Sequence, residues 1–231
     1  MFRRIMVLLM EQGADEAKVQ ALKDCLAASA EHIPTVLASW AGDAKATPGG
    51  RAIVWDTFFA DQKGMDEYRD HPYHVGTIIK QIGLGKGGPA EKMHSVLIEP
   101  YAGEVPEPGI KSFLKRTLLL QTVPSATQEQ VAEFERKLTQ MPAYVKGIRN
   151  WSMSRNPKCN QSPKMEAGVL EWTHVWEQEF QDEEGFRDYM ENPFHWAWVD
   201  LMFDPDGPGN VCSALMQLVY PMGTTILGWK P

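Results

Sequence analysis

Hydrophobic and polar positions along the chain form the same series of patterns twice. In the first half, apolar runs predict strands at residues 3–10, 34–42, 51–60 and 92–101, and helical periodicity predicts helices at 15–32, 61–70 and 72–82. In the second half, the same reasoning predicts strands at 113–121, 145–154, 170–180 and 212–221, and helices at 126–140, 182–190 and 193–203. Each half has the order β-α-β-β-α-β with a split second helix, which is typical of a ferredoxin-like unit.

Identical residues at a constant separation indicate an internal duplication. Five pairs are 121 positions apart: Phe59 and Phe180, Tyr68 and Tyr189, Pro72 and Pro193, His74 and His195, Pro100 and Pro221. Upstream, Arg4 and Arg116 are 112 positions apart, and Trp40 and Trp151 are 111 apart. The second copy is therefore longer between its second and third strands, where residues 156–168 are rich in Pro, Asn and Gly and predict a loop.

The duplication predicts the fold and its domains. A four-stranded sheet with helices on one face must bury its other face, and a second sheet in the same chain can cover it. We predict an α+β fold in which two ferredoxin-like repeats pack sheet to sheet as a pseudo-dimeric α/β barrel. The first repeat is predicted at 1–103, a Pro-rich linker at 104–110 and the second repeat at 111–231.

Composition excludes several classes of function. The 231 residues are 43% hydrophobic, which is ordinary for a globular protein, and the formal charge is −7. We expect neither a nucleic-acid partner nor a membrane surface, because both require clustered Lys and Arg, and no basic run is longer than Arg3-Arg4. Three cysteines without CxxC spacing and an N-terminal apolar run too short for a signal peptide predict a cytoplasmic protein.

A proline motif occurs once in each half, as DHPYHVGT at 70–77 and ENPFHWAW at 191–198. Proline cannot donate a backbone hydrogen bond, so each second helix is predicted to break and to restart at Pro72 or Pro193, after an N-cap at His71 or Asn192. The following histidine then lies in a first helical turn, where the helix dipole disfavours imidazolium. We expect it to be a neutral proton acceptor close to the tyrosine six positions before it.

The third strand distinguishes the halves. With a period of two, the side chains of Trp172, His174, Trp176, Gln178 and Phe180 share one face, and a histidine stands there only in the second copy. That histidine is either a hydrogen-bonded core residue or an acid/base. A metal site is disfavoured, because His71 is replaced by Asn192 and no acidic or cysteine ligand lies at the required spacing. We therefore predict neither a metal nor another cofactor.

With EYRDHPYHV and DYMENPFHW, the chain resembles the stress-responsive dimeric α/β-barrel (Dabb) proteins in a tandem form. The resemblance spans nearly the whole chain and rests on the Tyr-x-x-His-Pro-x-His pattern of the family. Plant polyketide cyclases of this family use the tyrosine and the last histidine in cofactor-free aldol chemistry. The resemblance implies these roles for Tyr68 and His74 and for Tyr189 and His195.

The same comparison implies two further positions. A pocket histidine of the cyclases corresponds to His174 here and to Ile53 in the first copy. A first-strand histidine is replaced by Arg4 and Arg116, which suit an anionic substrate group or else point to solvent.

The leading hypothesis is a cofactor-independent lyase or cyclase acting on an aromatic or phenolic small molecule, by carbon–carbon cleavage or aldol-type ring closure. The candidate catalytic residues are His195, Tyr189, His174, His74 and Tyr68, and the candidate substrate-binding residues are Arg116, Arg4, Trp176, Trp172, Trp196 and Trp55. The second half is favoured as the working half, and association into a homodimer is compatible with this organisation. The alternatives are a non-catalytic barrel that binds a hydrophobic ligand, and a related monooxygenase or haem-binding barrel.

Overall fold

The structure is a computed structural model that describes residues 1–156, 171–204, 207 and 209–228. Its strands are β1 (Phe2–Met10), β2 (Val36–Thr47), β3 (Gly50–Phe59), β4 (Ala90–Glu104), β5 (Lys111–Thr122), β6 (Ile148–Arg155), β7 (His174–Phe180) and β8 (Cys212–Thr224). Its α-helices are α1 (Glu16–Ala27), α2 (Ser29–His32), α3 (Gln62–Asp70), α4 (Ile79–Ile82), α5 (Gln128–Tyr144) and α6 (Glu183–Glu191). Two π-helices (His74–Ile78 and His195–Val199) and a 3-10 helix (Asp200–Met202) complete the described elements.

The chain divides into two compact units, one up to Glu99 and one from Pro100. The strand order is β4-β1-β3-β2 in the first unit and β6-β7-β5-β8 in the second, and the neighbouring strands within each unit are hydrogen-bonded. The predicted α+β fold of two ferredoxin-like repeats is confirmed. The proposed domain bounds of 1–103, 104–110 and 111–231 stay a prediction.

In the first unit, the helices cover one face of the sheet. Asp15 caps α1 by accepting hydrogen bonds from the backbone N–H groups of Ala17 and Lys18. The core beneath the helices contains alternating side chains of β1 and β3 together with the tyrosine of α3: Met6, Leu8, Ile53, Trp55, Phe59 and Tyr68. The period-two pattern therefore places the motif tyrosine against the sheet.

The second unit repeats this packing. Thr127 and Gln130 form a capping box at the start of α5. The core lies between the helices and the sheet and contains, among others, Leu118, Phe134, Trp176, Phe180 and Tyr189. Alternation puts Lys115 and Glu177 on the opposite face of the sheet, where they form a fully buried ion pair with an Nζ–Oε1 distance of 2.8 Å.

The proline motif breaks the second helix of each unit as predicted. α3 ends at Asp70, and His71 is extended (φ −65°, ψ 137°) before the chain becomes helical again at Pro72. In the second unit, Asn192 is extended in the same way (φ −66°, ψ 129°). His71 Nδ1 accepts a hydrogen bond from the N–H of Tyr73, and Asn192 Oδ1 accepts one from Phe194, so both predicted N-caps are confirmed.

Strand register corrects one predicted equivalence. Trp40 pairs with Asp56, whereas Trp151 pairs with Gln178. The counterpart of Gln178 in the first copy is Thr57, which pairs with Ser39. Trp40 and Trp151 are therefore not equivalent, because a shift of one residue moves a side chain to the other face of a sheet. Residues 157–168 of the predicted loop lie outside the described residues.

Candidate acid–base site

Four side chains from four elements meet on the helix-covered face of the second unit. Arg116 comes from β5, Gln178 from β7, Tyr189 from the end of α6, and His195 from the start of the second π-helix. Arg116 and Gln178 are directly paired across the two strands. The break at Asn192 turns the chain so that the His195 ring lies 4.5 Å from the Tyr189 ring, measured between centroids. The predicted meeting of tyrosine and histidine is therefore observed.

Arg116 lies at the centre of the site and is only 5% exposed. Its Nε donates to Gln217 Oε1 at 2.7 Å, and its Nη1 lies 2.6 Å from Gln178 Oε1 and 3.0 Å from the Tyr189 hydroxyl oxygen. No carboxylate among the described residues forms an ion pair with this guanidinium. Burial lowers the pKa of Arg116, while Tyr189 and Asp200 act in the opposite direction. The alternative that this arginine points to solvent is excluded.

The Tyr189 hydroxyl can donate a proton to a bound molecule. Its oxygen accepts from Arg116, and its O–H has only the weak acceptor Met141 Sδ, at 4.0 Å. Burial raises the pKa of Tyr189, and the neighbouring Arg116 charge partly opposes this by favouring the phenolate. The side chain of Gln178 also lowers this pKa, and the Asp200 charge raises it.

His195 is a buried imidazole with one nitrogen near a carboxylate. It is 4% exposed, and its Nε2 lies 3.6 Å from Asp200 Oδ1. Its Nδ1 has no hydrogen-bonding partner among the described residues. Burial lowers the pKa of His195, Asp200 raises it, and Arg116 lowers it. The direction of this shift favours the neutral imidazole, and burial is its largest cause.

Sequence reasoning missed Asp200, and the reason is the π-helix. The N–H of Asp200 donates to the carbonyl oxygen of His195, five residues earlier, which is the hydrogen bond that defines a π-helix. An α-helical period does not bring positions five apart together. The corresponding residue of the first copy is Ile79, so this carboxylate belongs to the second repeat alone.

The first unit contains the same three residue types with a different histidine environment. Arg4 Nη2 donates to the Tyr68 hydroxyl at 2.7 Å, and the rings of Tyr68 and His74 are 4.4 Å apart. His74 Nδ1, however, lies 2.8 Å from the carbonyl oxygen of Arg69, which fixes the proton on that nitrogen. Burial is the main cause that lowers the pKa of His74.

His174 lies on the predicted face but in another cluster. Its Nε2 lies 3.0 Å from Glu135 Oε1, and its Nδ1 lies 2.9 Å from Thr173 Oγ1, so both ring nitrogens have partners. Arg155 also donates two hydrogen bonds to the carboxylate of Glu135. Burial lowers the pKa of His174, whereas Glu135 raises it. These contacts are those of a hydrogen-bonded core residue, which is one of the two roles that the strand pattern allows for His174.

The four candidate tryptophans differ in position. Trp176 and Trp55 are equivalent core residues, and the Trp176 ring lies 5.4 Å from Trp151. Trp172 is buried just before β7 begins. Trp196 is 55% exposed, and among the described residues no hydrogen bond or ring contact joins it to the Arg116, Tyr189 and His195 side chains.

Metal-binding clusters and membrane-spanning helices are two further features that bear on function. Over residues 1–156, 171–204, 207 and 209–228, no three or more His, Cys, Asp or Glu side chains are grouped so as to hold a metal ion. Among the helices that the structure describes, none has the length and apolar character needed to span a membrane.

The fold and the paired Tyr–His sites define an α+β protein of two ferredoxin-like repeats. Residues 114–205 match the sequence profile of the family described as Dabb, Stress responsive A/B Barrel Domain. The chain therefore carries a Dabb domain over these residues, and the resemblance seen in its motifs is confirmed. No curated protein matches the sequence.

Solved structures share the fold over nearly the full chain. An anthrone oxidase-like protein has a TM-score of 0.63 and 8% identity, with 96% of this chain and 90% of that chain covered. A candidate monooxygenase from Fusobacterium nucleatum subsp. nucleatum ATCC 25586 has a TM-score of 0.60 and 9% identity, with 97% and 95% covered. A second, from Lactobacillus acidophilus NCFM, has a TM-score of 0.54 and 9% identity, with 96% and 95% covered. At these identities the likeness concerns the fold alone.

Proposed function

We propose that this protein is a cofactor-independent lyase or cyclase that uses acid–base chemistry on an aromatic or phenolic small molecule, with its working site in the second repeat. The observation that carries the proposal is the contact chain from Arg116 to Tyr189 to His195. Three polar groups of different chemistry are held together there on the aromatic core of a buried sheet face.

In this proposal, His195 is the general base. A neutral imidazole with a lowered pKa accepts a proton near neutral pH, and the Nδ1 lone pair has no competing donor among the described residues. Asp200 is a positioning residue, because its carboxylate near Nε2 favours the tautomer with the proton on Nε2. The proton to be taken is that of a phenol or of an activated carbon.

Tyr189 is the proposed acid partner. Its O–H donates to the oxyanion that develops on the substrate, and the buried Arg116 charge stabilises that oxyanion. Carbon–carbon cleavage, such as decarboxylation or deformylation, and aldol-type ring closure both need these proton transfers. His174 has both ring nitrogens engaged, so in this proposal it is a structural residue of a separate cluster rather than the second acid or base.

A turnover screen tests the proposal. Metal-stripped protein is incubated with phenolic acids, phenylpropanoid dimers and polyketide-like acids, and products are read by mass spectrometry. We expect a mass loss or a cyclisation product that His195→Ala reduces by at least about 100-fold, while the exposed His32→Gln control keeps the wild-type rate. No turnover across the panel, or equal rates in His195→Ala and wild type, would contradict the proposal. A larger loss in His74→Ala than in His195→Ala would move the working site to the first repeat.

A further inference from the structure

Several hydrogen-bond donors of the second-repeat site are unpaired among the described residues, and two of them are buried. Arg116 has five N–H donors, and its Nη2 makes no hydrogen bond to any described residue. Within the described part of the chain, the amide nitrogen Nε2 of the fully buried Gln178 also lacks a hydrogen-bonding partner, although it lies near enough to Tyr189 to lower the pKa of that hydroxyl. Trp176 Nε1, two residues before Gln178 on the same face, is likewise a buried donor without a partner among the described residues.

Unpaired buried donors, and a buried cation that has no carboxylate in direct contact, both cost folding free energy. Leaving a buried donor unsatisfied costs about 1–3 kcal/mol, and an unpaired buried charge costs more. Arg116 is in contact with two glutamines and a tyrosine, none of which carries a compensating charge near neutral pH. An anion that accepts several hydrogen bonds would satisfy the donors of Arg116 and Gln178, which occupy directly paired positions of β5 and β7.

The first repeat avoids part of this cost, although Arg4 Nε is itself buried without a hydrogen-bonding partner among the described residues. The counterpart of Trp176 is Trp55, whose Nε1 donates to Ser39 Oγ at 2.8 Å. The counterpart of Gln178 is Thr57, which has no amide to leave unpaired. Trp151 takes the strand position of Ser39 in the second repeat and supplies a ring instead of a hydroxyl. In the second repeat, the Trp176 and Gln178 donors therefore lack the internal partners that the first repeat provides or does not need, and they lie next to aromatic side chains.

We propose that Gln178, together with Arg116, is a specificity residue that binds the carboxylate of an aromatic acid. The unpaired Nη2 of Arg116 donates to one carboxylate oxygen, since its Nε and Nη1 are already engaged, and Gln178 adds a neutral donor that fixes the orientation of the second oxygen. The rings of Trp151, Trp176 and Phe180 supply the apolar surface against which a planar ring packs. This inference rests on the proposed function and names its substrate class, with one acid bound per chain.

Isothermal titration calorimetry with benzoate tests the inference without requiring turnover. Gln178→Glu keeps an oxygen to accept from Arg116 but removes the N–H donors and adds a negative charge, and Gln178→Met removes the donors without adding charge. We expect wild type to bind one benzoate per chain and to prefer it to benzyl alcohol, and both variants to lose at least about tenfold in affinity. The matched change in the first repeat, Thr57→Val, is expected to leave the affinity as in wild type.

Two results would overturn the inference. One is the absence of saturable benzoate binding to wild type, and the other is benzoate affinity that neither Gln178 variant changes. Turnover that depends on His195, with the same KM in Gln178→Glu as in wild type, would leave the proposed function standing and overturn this inference. Gln178-dependent benzoate binding without turnover in the screen would support the inference and contradict the proposed function.

Discussion

Replacing Asp200 by Asn is predicted to lower the pKa of His195, because the carboxylate charge favours the imidazolium form. The carboxylate lies 3.6 Å from Nε2, and its side chain is 52% exposed, so a dielectric constant close to that of water is appropriate. Two unit charges at that distance then interact by about 1 kcal/mol, which is the free energy by which the carboxylate favours the imidazolium form. Asn keeps the size and an acceptor oxygen but removes the charge that favours imidazolium. The other charged or titratable groups near the ring, Arg116 and Tyr189, are unchanged.

Proton NMR titration of the histidine ring signals measures this shift directly, in the absence of any substrate. If His195 is the base, the acid limb of the kcat/KM profile moves to lower pH by the same amount, because the reactive form is the neutral one. The exposed residue Glu191 provides the control, since Glu191→Gln removes a charge from the end of α6. A His195 pKa that stays the same or rises in Asp200→Asn would refute the assigned role of the carboxylate.

Three predictions concern stability. Glu135→Gln should lower the free energy of unfolding by about 2 kcal/mol, because it breaks the bonds of that carboxylate to Arg155 and His174. The control Glu133→Gln, on the exposed face of α5, should cost under about 1 kcal/mol. Urea denaturation measures both free energies, and equal losses would contradict the prediction. Asn192→Ala should cost about 1 kcal/mol through the lost N-cap, and a thermal midpoint equal to that of wild type would show that the cap contributes nothing. The buried histidines, His174 and His195 among them, have a pKa lowered from 6.5 in the folded protein. The unfolded chain therefore binds more protons below about pH 6.5, and the free energy of unfolding should fall as the pH is lowered from 7 to 5. A free energy of unfolding that urea denaturation shows to be independent of pH over this range would contradict the prediction.

Much of the architecture follows from local sequence signals. The two series of strand and helix patterns, the proline breaks and the N-caps at His71 and Asn192 depend on nearest neighbours in the chain, and all of them are found in the structure. The Tyr–His contacts also follow, because the break and the helix restart fix the distance between two residues six positions apart.

The remaining parts of the site depend on contacts that no single segment contains. Asp200 reaches His195 only because the restarted helix is a π-helix. The partners of His174 come from α5, so a strand pattern alone could not distinguish a satisfied core histidine from an acid or base. The separations of 112 and 111 differ by one residue, but only strand pairing shows that Trp40 and Trp151 are not equivalent.

The most direct test of the central claim is the rate of proton transfer by His195 in the second repeat. For the first substrate that the screen identifies, kcat/KM is measured for wild type, His195→Gln and the exposed His32→Gln control over pH 5 to 9. We expect His195→Gln to lose at least about 100-fold and to lose the acid limb of the profile, with His32→Gln indistinguishable from wild type. A His195→Gln enzyme that keeps both its rate and its pH profile would contradict the account.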